Sequence, residues 1–194
     1  MTTHAKPNLA PPGAGLPAVE LMVARLLFGL RRRTGNRASF TAKFQAERER
    51  IRELLRGLSA ELGGRRVLVR RPRGLEDSSR HWSVWMTLDH LRIIHESVIR
   101  VIEALTNGRV LKGRASTAAV KPSPAADASA LAAYEASCDA LLAAAAAAPD
   151  LNTAVRFAHP WFGPLNAAGW YALAGGHLSI HRVQLERIIA GLAA

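Results

Sequence analysis

Apolar residues recur at intervals of three and four along five segments of the chain, which is the spacing of one face of a helix. Period-two alternation, which is typical of half-buried strands, is nearly absent, and long stretches are rich in the strong helix formers Ala, Leu, Arg and Glu. The sequence therefore predicts an all-α protein. The predicted helices run from about Ala18 to Arg33, from Ser39 to Leu62, from Met86 or Thr87 to Thr106, from Asp127 or Ser129 to Ala148, and from a first turn around Pro164 to Leu192.

The second predicted helix has an apolar stripe and a charged side. Ser39 is predicted as its N-cap, and Phe40 and Phe44 lie on the apolar stripe. The other side carries glutamates three positions before arginines, as in Glu47 and Arg50, and this spacing supports exposed helix surfaces. The pattern predicts an ordinary surface helix of a bundle.

Irregular segments separate the predicted helices. The connection 65–83 is predicted to contain a short extended piece at 67–69 and to be anchored at its end by Trp82 and Trp85, and the connection 109–126 contains two prolines. Residues 1–17 are rich in Pro, Gly and Ala and have little apolar bulk, so they predict a disordered tail that includes His4. Residues 18–194 are expected to form a single helical domain.

Basic residues are concentrated in one part of the chain. The net charge is +11, and residues 25–80 hold sixteen Lys and Arg against six Asp and Glu. Such an asymmetry attracts polyanions, so nucleic-acid binding is one interpretation. A solvated basic face is the favoured alternative, because several arginines are spaced to pair with glutamates and no nucleic-acid motif is present.

The single cysteine and the short apolar runs indicate the cellular location of the protein. Cys138 alone excludes a disulfide within the chain and a Cys-based zinc site, and its helical surroundings predict a small buried residue. The first apolar run, 21–30, contains Arg25 and follows a Pro/Gly-rich leader, unlike a secretory signal. The run 141–148 is far shorter than the roughly 20 residues that span a bilayer. We therefore expect a cytoplasmic protein without a membrane segment.

Three histidines fall on the predicted inward stripes. His177 and His181 lie four residues apart on the last helix, about 40° apart on one face, within reach of a single ion. His90 lies on the inward stripe of another helix, whereas His95 should point elsewhere. Histidines on such stripes are often simply packed, but three buried imidazoles would each need hydrogen-bond partners, and one divalent cation binds a nitrogen of all three. A three-histidine shell leaves an open position, as in catalytic zinc sites.

The ionisable residues near these histidines exclude two known kinds of metal site. No glutamate lies between His177 and His181, so the metalloprotease motif is absent, and the Glu-x-x-His pattern of di-iron bundles is absent too. Asp89 and Glu186 are either outer partners of the metal site or exposed helix residues. His159, in the loop before the last helix, either borders the site or packs.

The segments around these histidines resemble a known family. WSVWMTLDHLRIIHESV and HPWFGPLNAAGWYALAGGHLSIHRVQLERI are similar to the two signature regions of the DinB/YfiT-like superfamily, and the resemblance covers roughly residues 39–192. It implies a four-helix bundle of DinB/YfiT type, with the helix 18–33 as an N-terminal addition. It also implies a divalent-metal site formed by His90, His177 and His181. The run from Arg182 to Glu186 is similar to the family's His-Arg-x-Gln-x-Glu sequence.

The same resemblance suggests a function. Characterised relatives include thiol transferases and isomerases that use bacillithiol, mycothiol or glutathione, so we expect a metal-dependent thiol (S-)transferase. In such an enzyme a divalent metal, zinc or nickel, activates a low-molecular-weight thiol toward an electrophilic substrate, and a metal-dependent hydrolase is the variant. The alternatives are a basic nucleic-acid-binding module and a structural bundle with a non-catalytic metal. The apolar N-terminal helix predicts a homodimer.

Overall fold

The computed structural model describes residues 7–113 and 115–193, so the position of His4 lies outside the described residues. Helices make up most of this part of the chain, and two short strand pairs lie in the connections. The all-α prediction, including the additional N-terminal helix, is confirmed. The helices are α1 (Ala18–Thr34), α2 (Arg37–Leu55), α3 (Ala60–Gly64), α4 (Val84–Thr106), α5 (Ser129–Ala147) and α6 (Ala167–Leu192). The strands are β1 (Val67–Leu68), β2 (His81–Trp82), β3 (Phe157–His159) and β4 (Gly163–Leu165).

Four long helices, α2, α4, α5 and α6, form a bundle. α6 packs against both α2 and α4, and α4 packs against α5. Arg48 links α2 to α5, since its guanidinium lies 2.5 Å from Glu135 and 2.6 Å from Asp139. The space between the helices is filled by apolar side chains, whose removal from water is the main force that holds the bundle together. The large side chains that are fully buried include Phe44, Ile51, Leu88, Leu91, Tyr134, Leu141, Tyr171, Leu178 and Leu185.

α1 lies on the outside of the bundle and packs with one face against α6. Phe28 on that face contacts Phe162, with ring centroids 4.6 Å apart, and Glu20 forms an ion pair with Arg71 at 2.5 Å. The opposite face is apolar and exposed, so nothing in the described chain covers it. Its side chains, which are 45–73% exposed, are Val19, Met22, Val23, Leu26, Leu27 and Leu30.

α2 begins and ends earlier than the sequence predicted. Asn36, not Ser39, is its N-cap: the Asn36 side chain accepts the Ser39 N–H, and the Ser39 hydroxyl accepts the Asn36 N–H. This reciprocal pair is a capping box, in which Ser39 occupies the third helical position. The helix ends at Leu55 because Gly57 takes a φ of +77°, in the left-handed region that favours glycine. Ser59 then caps α3 by accepting the N–H of Leu62.

The prediction that α2 is an ordinary surface helix is wrong at Glu47. This side chain is buried, and its carboxylate binds Lys43, Arg50 and Arg182. Burial alone would raise the pKa of Glu47, but hydrogen bonds from Lys43 and Arg182 outweigh it and lower the pKa. Because Arg182 belongs to α6, the charged side of α2 is part of the contact between two bundle helices.

The first connection contains the predicted extended piece. β1 pairs antiparallel with β2, so that Val67 lies opposite Trp82 and Leu68 opposite His81. Trp82 and Trp85 are buried, as predicted for the anchors of this connection. The strand pair folds the connection back onto the start of α4, close to the helix turn that carries His90.

The segment before α6 differs from the prediction. Pro164 lies in β4 rather than in the first turn of the helix, and β4 pairs antiparallel with β3 to form a hairpin. Proline is compatible with such a short edge strand, where its missing N–H leaves no ladder bond unmade. α6 begins only after Asn166, whose side chain accepts the N–H of Gly169.

α5 is rich in alanine and passes the length and composition test for a membrane span, the single helix in residues 7–113 and 115–193 to do so. In the fold it packs against α4, with Tyr134, Cys138 and Leu141 fully buried. These contacts are those of a bundle helix. The cytoplasmic location stays a prediction.

Cys138 is buried in the bundle core, as its helical surroundings predicted. Burial raises the pKa of its thiol to about 12, so the thiol is protonated at neutral pH. A thiol in this state is a poor nucleophile and a poor metal ligand.

Candidate metal centre

Two bundle helices carry the three candidate ligands. Ser83 caps α4 by accepting the N–H of Met86, and this start places His90 in the second turn on the face toward α6. His177 and His181 lie in the middle of α6, one turn apart on the face that packs toward α4. His90 and His181 are buried and His177 is partly buried. The helical spacing predicted from the sequence therefore brings all three side chains to the contact between α4 and α6.

The Nε2 atoms of the three rings converge. His177 Nε2 lies 3.3 Å from His90 Nε2 and 3.2 Å from His181 Nε2. The candidate ligand atoms of the three side chains all lie within 4.8 Å of one another. In a tetrahedral zinc site with Zn–N bonds of 2.0–2.1 Å, two nitrogens lie about 3.3 Å apart. The two separations that involve His177 therefore match the spacing around a small divalent ion.

The outer nitrogens of two rings are held by hydrogen bonds. His90 Nδ1 donates to the carbonyl oxygen of Val120 at 2.6 Å, and His181 Nδ1 donates to Gln184 Oε1 at 2.7 Å. Gln184 is held in turn, because its Nε2 donates to the carbonyl oxygen of Ser79 at 2.7 Å. Carbonyl oxygens only accept, so both rings carry their proton on Nδ1 and present a lone pair at Nε2.

The three imidazoles have too few protons to pair every Nε2 lone pair, which favours a cation between them. With lone pairs on Nε2 of His90 and His181, His177 can donate a single proton to one of them and leaves the other unpaired. Within the described residues, His177 Nδ1 is buried without a hydrogen-bond partner. A divalent ion at the three Nε2 atoms accepts a lone pair from each ring at once, whereas the proton on His177 Nδ1 keeps no partner within the described residues. The donor set therefore fits a metal ion bound by three neutral imidazoles.

Burial keeps the three imidazoles neutral. It lowers the pKa of His90 to about 4, although the hydrogen bond to Val120 opposes the shift. Burial and the neighbouring rings also lower the pKa of His177 and of His181 well below the usual value. Neutral imidazole is the form that binds a metal, so these side chains are ready to coordinate at neutral pH.

Trp82 forms one wall of the cluster. Its ring is parallel to that of His181, with centroids 6.0 Å apart and an interplanar angle of 4°, and its centroid lies 5.1 Å from that of His90. The side chain of Lys121 lies on the same indole, with Nζ 5.4 Å from the ring centroid. An apolar wall limits water near the rings and fixes their orientation.

The other histidines weighed in the sequence lie apart from the cluster. His95 points away from it, as predicted, and is buried between α4 and α5, where Nδ1 is 2.9 Å from Ser137 Oγ. His159 packs among aromatic rings, with its centroid 5.0 Å from that of Phe162 and 5.3 Å from that of Trp170. Burial lowers the pKa of His159 to about 4.

The described hydrogen bonds and ion pairs of Asp89 and Glu186 do not involve the candidate ligand histidines. Asp89 binds Arg92 at 2.8 Å and accepts the N–H of Ser123, and Glu186 binds Arg182. The outer partners are instead the two backbone carbonyls and Gln184. Gln184 carries a signal that the sequence reading did not use, namely an amide three residues after a candidate ligand on the same helix. The carbonyls of Val120 and Ser79 have no side-chain signal, since every residue has a carbonyl.

Part of the basic region has structural partners. Arg48, Arg52, Arg71 and Arg80 form ion pairs with acidic side chains, and Arg37 donates to the carbonyl oxygen of Ala148 at 2.6 Å. These contacts agree with the view that the arginines support the fold. Nucleic-acid binding by the remaining basic residues stays a prediction.

Comparisons with known proteins identify the family of the chain and a protein with a similar fold. Residues 43–185 match the family model of the DinB superfamily, and this range lies within the 39–192 that resembled the family. The chain is also similar in structure to TT2238, described as a four-helix bundle protein, with a TM-score of 0.56 and 22% sequence identity. The superposition covers 78% of this chain and 98% of that one, so it shows a shared bundle fold. No curated protein matches the chain. The predicted bundle type and the predicted resemblance are both confirmed, and the chain belongs to the DinB superfamily.

Proposed function

We propose that the protein binds one divalent metal ion through Nε2 of His90, His177 and His181. The observation that carries this proposal is the convergence of three Nε2 atoms, two of which are held as lone-pair donors by outer hydrogen bonds. Zinc and nickel are the expected ions, because imidazole is a preferred ligand of both. Three protein ligands leave a position for a further group, which is the arrangement of catalytic zinc sites.

We further propose that the metal serves a thiol (S-)transferase reaction. When bound, the ion supplies Lewis-acid chemistry that lowers the pKa of a thiol. The chain itself holds its three imidazoles neutral, orients two of them through Val120 and Gln184, and restricts water with Trp82.

The burial of the single cysteine supports a reaction in which the thiol comes from a separate small molecule. Cys138 lies in the core with its pKa raised to about 12, so this side chain is unsuited to supply the reacting sulfur. A low-molecular-weight thiol is therefore the proposed cosubstrate, with an electrophilic small molecule as its partner. A hydrolase, in which the ion activates water, is the variant in the same class.

Metal content tests the site. Protein purified without a histidine tag and incubated with zinc or nickel should hold about one ion per chain by elemental analysis, and His177→Ala should hold far less. His159→Ala is the matched control, because His159 is partly buried, as His177 is, and is not one of the three converging rings. Wild-type content far below one ion, or content that His177→Ala leaves unchanged, would reject the site.

Two further measurements separate the functions. Thiol transfer from bacillithiol, mycothiol or glutathione to an electrophile such as a haloarene should require the metal and be lost in His177→Ala. If the metal raises the melting temperature while no thiol supports transfer, the metal is structural. That result would favour the bundle with a non-catalytic metal.

A further inference from the structure

Two irregular connections meet beside the metal centre, and each supplies one of the backbone carbonyls that hold the ligands. The α4–α5 connection supplies the carbonyl of Val120, which accepts from His90. The α3–α4 connection supplies the carbonyl of Ser79, which accepts from Gln184 and so acts on His181. The orientation of ligands on two helices therefore depends on the relative position of two loops.

A partly buried ion pair joins these two loops. Lys121, the residue after Val120, places Nζ 3.3 Å from Glu76 Oε2. The same Nζ donates to Ser78 Oγ at 2.8 Å and to Ser79 Oγ at 3.0 Å. Lys121 therefore directly follows Val120, whose carbonyl holds His90. It is also hydrogen-bonded to Ser79, whose carbonyl holds Gln184.

A second bond fixes the same junction. Thr117 donates from Oγ1 to Glu76 Oε1 at 3.0 Å, so each carboxylate oxygen of Glu76 is bound by the α4–α5 connection. Glu76 is 6% exposed. Burial would raise its pKa, but the bonds from Thr117 and Lys121 lower it, so the carboxylate stays charged.

We propose that Glu76 and Lys121 are positioning residues of the metal centre, which clamp the two loops so that the carbonyls of Val120 and Ser79 hold His90 and His181. This inference rests on the proposed function for the role of the histidines as ligands. Among the described residues no hydrogen bond joins Glu76 or Lys121 to His90 or His181, so these two residues orient the rings through the carbonyls. The charge of Lys121 also lowers the pKa of His90 and of His181 from nearby. A buried ion pair is a weak source of stability but can select one arrangement of the chain. Outer-shell groups of this kind typically change metal affinity by about 10–100-fold when they are removed.

Imidazole NMR of the full chain without metal tests the clamp directly. Long-range proton–nitrogen spectra of the wild type should show His90 and His181 with the proton fixed on Nδ1. In Lys121→Met and in Glu76→Gln, at least one of these rings should show exchange between its two tautomers. Arg52→Met is the control, because it breaks an ion pair between α2 and Glu135 of α5 that involves neither supporting carbonyl, so both tautomers should stay fixed.

Zinc affinity, measured by competition with a chromophoric chelator, is the second readout. We expect a loss of about 10–100-fold in Lys121→Met and in Glu76→Gln. Lys121→Arg, which keeps a cation at the junction, should recover most of the affinity. The metal-free variants should melt lower than Arg52→Met, because each leaves a shielded charge without its partner. Each should still show a cooperative unfolding transition above the temperature of the zinc and NMR measurements.

The outcomes are distinct. Fixed tautomers in both variants overturn the clamp, whatever the protein does with metal. Tautomer exchange that occurs only in a variant without a cooperative metal-free unfolding transition also overturns it, because the residues would then support the fold as a whole. A wild type that binds no zinc rejects the proposed function, while the NMR result still decides whether Glu76 and Lys121 orient the rings.

Discussion

The carboxylate of Glu47 on α2 lies 2.7 Å from Nε of Arg182 on α6, one residue after the candidate ligand His181. Glu47 is buried and also binds Lys43 and Arg50. We expect Glu47→Gln to lower the free energy of unfolding by about 1–3 kcal/mol, the range for lost hydrogen bonds to charged groups. Glu53→Gln, on the exposed side of the same helix, should change it by less than about 0.5 kcal/mol. Urea unfolding of both variants measures the difference, and equal stabilities would contradict a role for Glu47 between the helices.

His177 should contribute little net stability to the metal-free protein. Its Nδ1 is buried with no partner in the described chain, so His177→Leu removes an unsatisfied polar atom, but it also removes the hydrogen bond that Nε2 can donate to His90 or His181. We expect the metal-free variant to stay within about 1 kcal/mol of the wild type. The wild type should gain about 2.7 kcal/mol at a free zinc concentration of 100 Kd, and the variant should gain none. Denaturant unfolding with chelator and with zinc tests both statements, and a zinc-dependent gain in the variant would contradict the ligand assignment.

Buried histidines should make the protein less stable in mild acid. Burial lowers the pKa of His95 to about 3, whereas an unfolded histidine has a pKa of about 6.5. The full stability is therefore present above about pH 6.5 and is lost as the pH falls, because the unfolded chain binds a proton that the folded chain does not. Each such histidine contributes a slope that approaches 1.36 kcal/mol per pH unit.

The variant His95→Leu measures how much His95 alone contributes to the change of unfolding free energy with pH. Ser137 Oγ, the polar partner of His95, already donates to the carbonyl oxygen of Tyr134 at 2.7 Å, so the substitution leaves no donor unpaired. Unfolding free energies at pH 7 and pH 5, measured with chelator, should differ less in His95→Leu than in the wild type. The reduction should be about 1–2 kcal/mol. An identical pH dependence would show that His95 takes up a proton in the folded state.

The exposed stripe of α1 predicts a homodimer. Its six aliphatic side chains extend over about 17 Å of helix and lie on one face, so a two-fold axis through the stripe buries the same residues of both copies. Leu26→Glu, in the middle of the stripe, should shift the protein to monomer in sedimentation at micromolar concentration. Val110→Glu changes an exposed side chain outside α1 and should leave the dimer intact. A monomeric wild type that binds anionic vesicles through α1 would show that a membrane, not a second copy, covers the stripe.

Salt dependence decides whether the basic region binds nucleic acid. Association with a DNA or RNA oligomer should weaken steeply with salt, with a slope of roughly −0.9 per phosphate contact on duplex DNA. Arg65 and Arg66, which precede β1, are exposed residues of this region. Their replacement by glutamine should reduce the slope if nucleic acid binds there. Absent or salt-insensitive association would leave the basic region as a solvated face.

The sequence predicted those parts of the fold that depend on side-chain periodicity. The three candidate ligand histidines were found because each lies on an apolar helical stripe, and the all-α class followed from the same stripes. The four-helix bundle type was implied by the family resemblance. Contacts made by the backbone were not predicted. The carbonyl of Val120 lies in an irregular connection, and no side-chain pattern indicates that it accepts a hydrogen bond. Asn36 and Ser39 are both good caps, so local sequence alone did not decide between them. Pro164 suits a first helical turn as well as an edge strand, and the β3–β4 pairing decided in favour of the strand.

The three histidines belong to helices that are distant along the chain, since His90 and His177 are 87 positions apart. An ion held by all of them would act as a cross-link that closes a long loop of the unfolded chain, as a disulfide does. Unlike a disulfide, this cross-link can be removed by a chelator and restored by metal without any redox chemistry. The rigidity of the contact between α4 and α6 would then depend on the concentration of free metal around the protein.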